Sequence, residues 1–167
     1  GTTFESADQI DGGAGTDRLN INVLNDDTSG VQQRSVAPEM NNVERVFIRN
    51  TNNNDGSNSG SNPDSFELNT NSINGVEEFW SNGASGGSTT RIDGVENTDV
   101  TIGLRNTDEN FGVQFSDNAI DGSDDAVDVL VQDGSNATFA VGGDSGEAVE
   151  TLNVTSTGSS GNKLTLD

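Results

Sequence analysis

The sequence predicts an all-β fold: a right-handed parallel β-helix, or β-solenoid, with an antiparallel β-sandwich as the alternative. Short runs alternate apolar and polar residues, which is the period of a half-buried strand. Gly, Asn, Asp and Ser separate these runs, and such residues tolerate the backbone conformations of turns. No stretch shows the 3.6-residue period of a capped helix, so we expect little helix, and only residues 37–42 could hold a helical turn.

Nine apolar runs are the clearest strand predictions. They cover residues 19–24, 43–48, 76–80, 100–104, 113–115, 127–131, 138–141, 151–154 and 163–166. In the second half of the chain the starts of successive runs are almost evenly spaced. Regular spacing of this kind is typical both of a β-sandwich and of a solenoid of stacked coils.

A weak internal repeat favours the solenoid. A small or turn-forming residue followed by Val and Glu precedes a β-type run at Asn42-Val43-Glu44, Gly75-Val76-Glu77, Gly94-Val95-Glu96 and Ala148-Val149-Glu150. Units that recur in this way and need a neighbour to bury their apolar face are the sequence signature of a solenoid.

The composition excludes most catalytic chemistry and several partners. Among 167 residues, Asp and Glu number 28 and Lys and Arg 7, which gives a formal net charge of −21. Because so negative a field repels phosphates, we expect no nucleic-acid partner. Cys and His are absent, which removes thiol nucleophiles, Ser-His-Asp triads and ordinary zinc sites. No run of about 18 apolar residues occurs, so we expect no membrane insertion.

Enzymatic activity is not expected. Paired carboxylates can hydrolyse glycosides, but acidic residues are so abundant that no pair stands out. Tyr is absent, and Trp80, the single Trp, is predicted to lie in the core or at an interface. A calcium-dependent enzyme acting on polysaccharides is therefore the least favoured hypothesis.

The organisation of the chain points to one unit. Residues 1–167 are predicted to form a single β-rich domain, and we expect it to be a fragment of a larger secreted protein because the chain begins at Gly1 and ends within a strand-like run. Residues 50–62 contain no apolar side chain and predict a low-complexity surface loop. In the sandwich alternative, the chain would be a binding module that recognises a glycan or a protein partner through this loop.

The motif that carries chemistry is residues 12–20, which fits the nonapeptide G-G-x-G-x-D-x-(apolar)-x at every specified position. The glycines allow a tight turn, Asp17 adds a carboxylate, and Leu19 fills the core. Oxygen ligands of this kind are those that Ca²⁺ prefers. The alternative is a Gly-rich turn that simply ends in a strand. The candidate calcium ligands here are Asp8, Asp11, Gly12, Ala14 and Asp17.

A second acidic cluster precedes the run at residues 127–131 and repeats the order glycine, Asp, strand. Five carboxylates within twelve residues repel one another unless water or a cation screens them. The cluster contains Asp117, and its candidate calcium ligands are Asp121, Asp124, Asp125 and Asp128. A solvated acidic turn is the alternative.

The nonapeptide resembles the calcium-binding repeats of repeats-in-toxin (RTX) proteins. Residues 7–17, 41–46 and 150–158 further resemble stretches of secreted bacterial surface-layer and adhesin-like proteins. The resemblance implies a calcium-stabilised β-roll or β-helix at the cell surface or outside the cell, with a structural role in self-assembly or attachment. It also implies Ca²⁺ and further copies or segments of the same surface protein as partners.

Overall fold

The structure, a computed structural model, describes residues 4–24, 33–51, 65–85, 88–143 and 145–167. These residues form a β-solenoid of about five turns. The one helical segment in this part of the chain is a 3₁₀ turn over Asp117–Ala119. No described segment forms a helix that is long and apolar enough to cross a bilayer.

The described residues contain fifteen strands, which make six strand layers. In chain order the coils contain β1 (Gln9–Asp11), β2 (Arg18–Val23) and β3 (Gln33–Val36); β4 (Glu39–Asn41), β5 (Arg45–Asn50) and β6 (Ser65–Asn69); β7 (Ile73–Asn74), β8 (Glu78–Asn82) and β9 (Thr89–Val95); β10 (Thr101–Arg105) and β11 (Asn110–Phe115); β12 (Ala126–Gln132) and β13 (Asn136–Gly143); and β14 (Thr151–Thr157) and β15 (Lys163–Leu166). All nine predicted runs overlap strands of this set.

Three sheets of described strands run along the solenoid, and every pairing among them is parallel. Sheet 1 has the order β2-β5-β8-β10-β12-β14, sheet 2 the order β3-β6-β9-β11-β13-β15, and sheet 3 the order β1-β4-β7. The predicted solenoid is therefore confirmed. The β-sandwich alternative is wrong, because the strands pair with the next coil rather than with an antiparallel neighbour.

The cross-section changes along the stack. Within the described ranges, the first three coils have three strands each, whereas the last three contribute strands only to sheets 1 and 2. The number of residues in a coil also changes along the stack. In sheet 1, Arg18 pairs with Arg45, Arg45 with Glu78, and Glu78 with Thr101, and these successive partners are separated by unequal numbers of residues. Turns that include the 3₁₀ segment replace the third sheet in the later coils.

The core consists of columns of apolar side chains that stack from coil to coil. Sheet 1 contributes the column Leu19, Val46, Phe79, Ile102 and Val129, and sheet 2 contributes the column Leu68, Ile92, Val113 and Val141. Only alternate strand residues face inwards, so a hydrophobic content of 29% suffices to fill the interior. Each fully buried side chain of this kind contributes about 1.5–3 kcal/mol.

The Val-Glu repeat marks one corner of the solenoid at three of its four positions. Glu44, Glu77 and Glu150 lie immediately before β5, β8 and β14, where the chain turns into sheet 1. The fourth copy differs, because Val95 ends β9 in sheet 2. At three positions the repeat therefore marks equivalent places in different coils. At the fourth position the match is a coincidence of sequence.

Two local predictions need correction. Residues 37–42, named as the one stretch that could hold a helical turn, instead contain β4, which pairs with β1 and β7, so that tertiary pairing overrides a weak local preference. Asn50 does not belong to the predicted surface loop, because it ends β5, is fully buried and donates to the Thr90 hydroxyl at 3.1 Å. Residues 52–62 of that loop lie outside the described residues.

The outer surface of sheet 1 contains a close approach that a substitution can test. Trp80 lies over the backbone of Gly103 one coil on, and a Cβ on Gly103 would come within 2.1 Å of the indole ring. We expect Gly103→Ala to lower the free energy of unfolding by about 1–3 kcal/mol, because the ring must move. Urea denaturation followed by tryptophan fluorescence measures the change.

Gly112→Ala on β11 is the matched control, because its Cβ would meet only the Arg91 side chain, at 3.9 Å. We expect little change in stability there. Equal losses at the two glycines would contradict the close contact with Trp80.

Candidate metal centre

The glycines of the nonapeptide are required by the backbone of the turn before β2. A Cβ on Gly12 would lie 1.8 Å from the carbonyl oxygen of Asn42, so only glycine allows the second coil to approach this closely. Gly13 and Gly15 have φ values of 83° and 130°, which favour glycine. The turn thereby brings Asp17 to the corner where the chain passes into sheet 1.

Asp17 meets a carboxylate of the next coil at this corner. Its backbone N–H donates to Glu44 Oε2 at 2.6 Å, and its carbonyl accepts from the N–H of Arg45 at 3.1 Å. The side-chain oxygen Oδ2 of Asp17 is buried and has no hydrogen-bond partner among the described residues. Glu44 was not predicted as a site residue, although the Val-Glu repeat contains it.

Asp125 repeats this arrangement four coils later. Its N–H donates to Glu150 Oε2 at 2.9 Å, and its carbonyl accepts from the N–H of Thr151 at 3.0 Å. Its Oδ2 is likewise buried without a hydrogen-bond partner in the described part of the chain. A Cβ on Gly122 would lie 3.3 Å from that oxygen, so a glycine again borders the carboxylate. We call the two arrangements, Asp17 with Glu44 and Asp125 with Glu150, the carboxylate corners.

The chemistry of the carboxylate corners suits a hard cation. A buried carboxylate oxygen without a donor is destabilising, and a second carboxylate nearby adds repulsion. Ca²⁺ prefers carboxylate and carbonyl oxygens and would relieve both effects. The residues that the structure describes gather no group of three or more acidic side chains able to hold a metal ion. Each corner therefore supplies two carboxylates, and backbone carbonyls or water would have to complete the coordination.

The other candidates around the nonapeptide have different surroundings. Asp11 accepts from the side chain of Asn42 at 2.8 Å and from the N–H of Gly13 at 3.0 Å, and these bonds lower its pKa. Asp8 accepts from the N–H of Glu5 at 2.9 Å and precedes β1, which lies in sheet 3. Ala14 is exposed. Asp8 therefore closes a local turn, and Asp11 both closes a turn and binds the next coil through Asn42. The assignment of both residues as ligands stays a prediction.

The second acidic cluster does not converge on one point. Asp117 accepts from the N–H and hydroxyl of Ser145 at 2.9 and 2.6 Å, one coil on. Asp128 accepts from the side chain of Asn153 at 3.1 Å. Asp121 and Asp124 are exposed. Within the cluster, Asp125 alone has the unpaired buried oxygen.

A buried carboxylate that the sequence did not reveal lies between β10 and β11. Glu109 is 4% exposed and accepts from the hydroxyls of Ser88 at 3.2 Å, Thr90 at 3.0 Å and Ser81. Burial outweighs these bonds and raises its pKa to about 7. Its neighbours in sequence, Asp108 and Asn110, are exposed, so no pattern indicated that it points inwards.

Comparisons with protein-family models, curated proteins and solved structures find no match for this chain. The fold and the geometry of the two carboxylate corners are therefore the basis on which its function is inferred.

The raised pKa of Glu109 predicts a pH dependence of stability. The folded state favours the protonated form, because the pKa is about 7 in the folded chain against 4.5 for an unperturbed Glu. This contribution is complete below about pH 4.5 and is lost as the pH rises through about 7, a loss of about 3 kcal/mol. Urea denaturation at pH 5 and pH 8, in the presence of chelator, measures it.

Glu109→Gln is the matched variant, since it keeps the shape and cannot ionise. We expect the free energy of unfolding of this variant to fall less between pH 5 and pH 8 than that of the parent chain. The same fall in both proteins would show that other carboxylates cause the pH dependence.

Proposed function

We propose that this chain is a calcium-stabilised structural module of an extracellular bacterial surface protein, of the surface-layer or adhesin-like kind. Its role is self-assembly or attachment at the cell surface. The observation that supports this proposal is the repeated carboxylate corner, in which Asp17 and Asp125 each carry a buried oxygen without a partner among the described residues. Two independent occurrences of one arrangement, in the same position before a strand of sheet 1, argue against chance.

Calcium at the carboxylate corners would act between coils. Asp17 and Glu44 belong to the first and second coils, and Asp125 and Glu150 to the fifth and sixth. A cation held by both members of a pair supplies positive charge between two carboxylates and links one coil to the next. Because binding to the folded chain alone stabilises it, folding would become dependent on calcium concentration.

The alternatives are weaker. A binding module built on a β-sandwich is no longer an alternative, because the sheets are parallel and form a solenoid. An enzyme acting on polysaccharides needs a defined acid and base, and the two carboxylate corners offer hydrogen-bonded pairs at turns rather than a cleft. The absence of enzymatic activity stays a prediction.

The first test is thermal stability with calcium and with chelator. We expect calcium to raise the melting temperature and excess chelator to lower it. Ligand linkage gives about 2.7 kcal/mol per site when free calcium is 100 times its Kd. Asp17→Asn and Asp125→Asn should each remove part of the response, and the double variant most of it. Calorimetric titration then gives the number of ions.

Asp108→Asn is the matched control, because Asp108 is exposed and its carboxylate accepts from the side chain of Asn136 at 3.1 Å. It removes the same charge and should leave the calcium response intact. An unchanged melting curve in excess chelator, together with no heat of binding, would overturn the calcium part of the proposal.

A further inference from the structure

The outer surface of sheet 1 reverses the charge balance of the chain. Acidic residues outnumber basic ones 28 to 7 overall. At the outward positions of β2, β5, β8 and β10, however, there are four arginines and one acidic residue, Glu78. We call this surface the arginine face; it consists of Arg18, Arg45, Phe47, Arg49, Trp80 and Arg105.

Two stacked aromatic rings support the arginines. Phe47 and Trp80 stack with their centroids 5.6 Å apart and their planes 7° apart. The guanidinium carbon of Arg18 lies 3.9 Å from the Phe47 centroid, and that of Arg105 lies 5.7 Å from the Trp80 centroid. Although both rings face outwards, they are only 8% and 6% exposed. The groups exposed to a partner on this surface are therefore guanidinium groups rather than aromatic rings.

Each of the four guanidinium groups contacts a nearby oxygen through its Nε atom. The oxygens are Asn20 Oδ1 for Arg18 (2.9 Å), Glu78 Oε1 for Arg45 (3.2 Å), the Gly83 carbonyl for Arg49 (3.3 Å) and Asn82 Oδ1 for Arg105 (2.8 Å). Their terminal Nη atoms make no hydrogen bond with any residue that the structure describes. The Nη pair is a fork that binds a carboxylate through two parallel hydrogen bonds, so four such forks are held ready on one surface.

Two of the arginines are direct neighbours on this surface. Arg18 and Arg45 are partners in the register of β2 and β5, and like charges in such a position repel. Within the chain, Glu78 forms an ion pair with Arg45, and the guanidinium group of Arg18 lies over the Phe47 ring. Carboxylates of a partner would offset the positive charge that remains.

We propose that the arginine face binds exposed carboxylates on a second copy of this chain; this inference rests on the self-assembly in the proposed function. Charge complementarity selects the occupant, because the turns that replace sheet 3 carry exposed acidic residues outside the candidate calcium ligands, including Glu96, Asp99 and Glu147. At physiological ionic strength the Debye length is about 8 Å, so the overall repulsion between copies is screened while direct contacts persist. The contact joins two different surfaces, so it can recur from copy to copy and produce assemblies larger than a dimer, either open rows or closed rings.

The test is sedimentation velocity of the full chain with saturating calcium over a range of concentrations. Arg45→Gln with Arg49→Gln removes two forks without disturbing the two arginines that contact the rings. Arg91→Gln with Lys163→Gln is the matched control, since both pairs change the formal charge from −21 to −23. We expect the first pair to weaken association about tenfold or more, and the control pair to leave it unchanged.

The outcomes separate this inference from the proposed function. If the parent chain associates and both double variants associate equally well, the arginine face is not the contact, while self-assembly stands. If calcium raises the melting temperature but the chain stays monomeric at every concentration, both this inference and self-assembly are overturned, and the calcium proposal stands.

If the monomeric chain binds polygalacturonate, and the Arg45/Arg49 variant does not, the surface binds an acidic glycan and the inference is wrong. Should the double variant melt early, Arg49→Gln alone, compared with Arg91→Gln, provides the same comparison.

Discussion

Each coil lies on the previous one in parallel register, and the rest of the structure depends on this pairing. Strand neighbours are about 4.8 Å apart, so each side chain contacts its equivalent one coil earlier and one coil later. Inside the solenoid this produces apolar columns such as Val46, Phe79 and Ile102. A chain with few apolar residues can therefore build a continuous core, because every inward position is used twice, once against each neighbouring coil.

The same register concentrates charge, and the structure handles this in three ways. Amide side chains bridge to carboxylates of the neighbouring coil, as Asn153 does to Asp128. At the carboxylate corners a backbone N–H binds the carboxylate of the next coil and leaves one buried oxygen of Asp17 or Asp125 unpaired. On the arginine face, Arg18 and Arg105 lie over aromatic rings, and their Nε atoms bind neighbouring side-chain oxygens. The last two solutions leave binding capacity unused, and this is why both are sites for which we propose an external ligand.

Polar groups also enter the interior at the corner between sheets 1 and 2. Glu109 lies there between β10 and β11, and it accepts from the hydroxyls of Ser81, Ser88 and Thr90 in the previous coil. Ser81 lies in an inward-facing column between Ile48 and Leu104. Its hydroxyl donates a hydrogen bond to Glu109. A carboxyl group with hydroxyl partners on both oxygens is therefore held in the interior, and its burial raises its pKa to about 7.

The sequence by itself determined the nine strand runs and the glycine turn that carries Asp17, and it favoured the parallel solenoid over the sandwich. These depend on local alternation and on backbone conformations that only glycine favours. Tertiary structure alone decided that β4 and β7 are strands, that Glu44 and Glu150 meet Asp17 and Asp125, that Glu109 is buried, and that four distant arginines share one surface. The physical reason is that coil length varies, since the coil from Arg45 to its partner Glu78 is longer than the coil from Glu78 to its partner Thr101. Without a constant number of residues per coil, a single sequence does not indicate which residues of neighbouring coils are paired. Every contact between coils depends on that pairing.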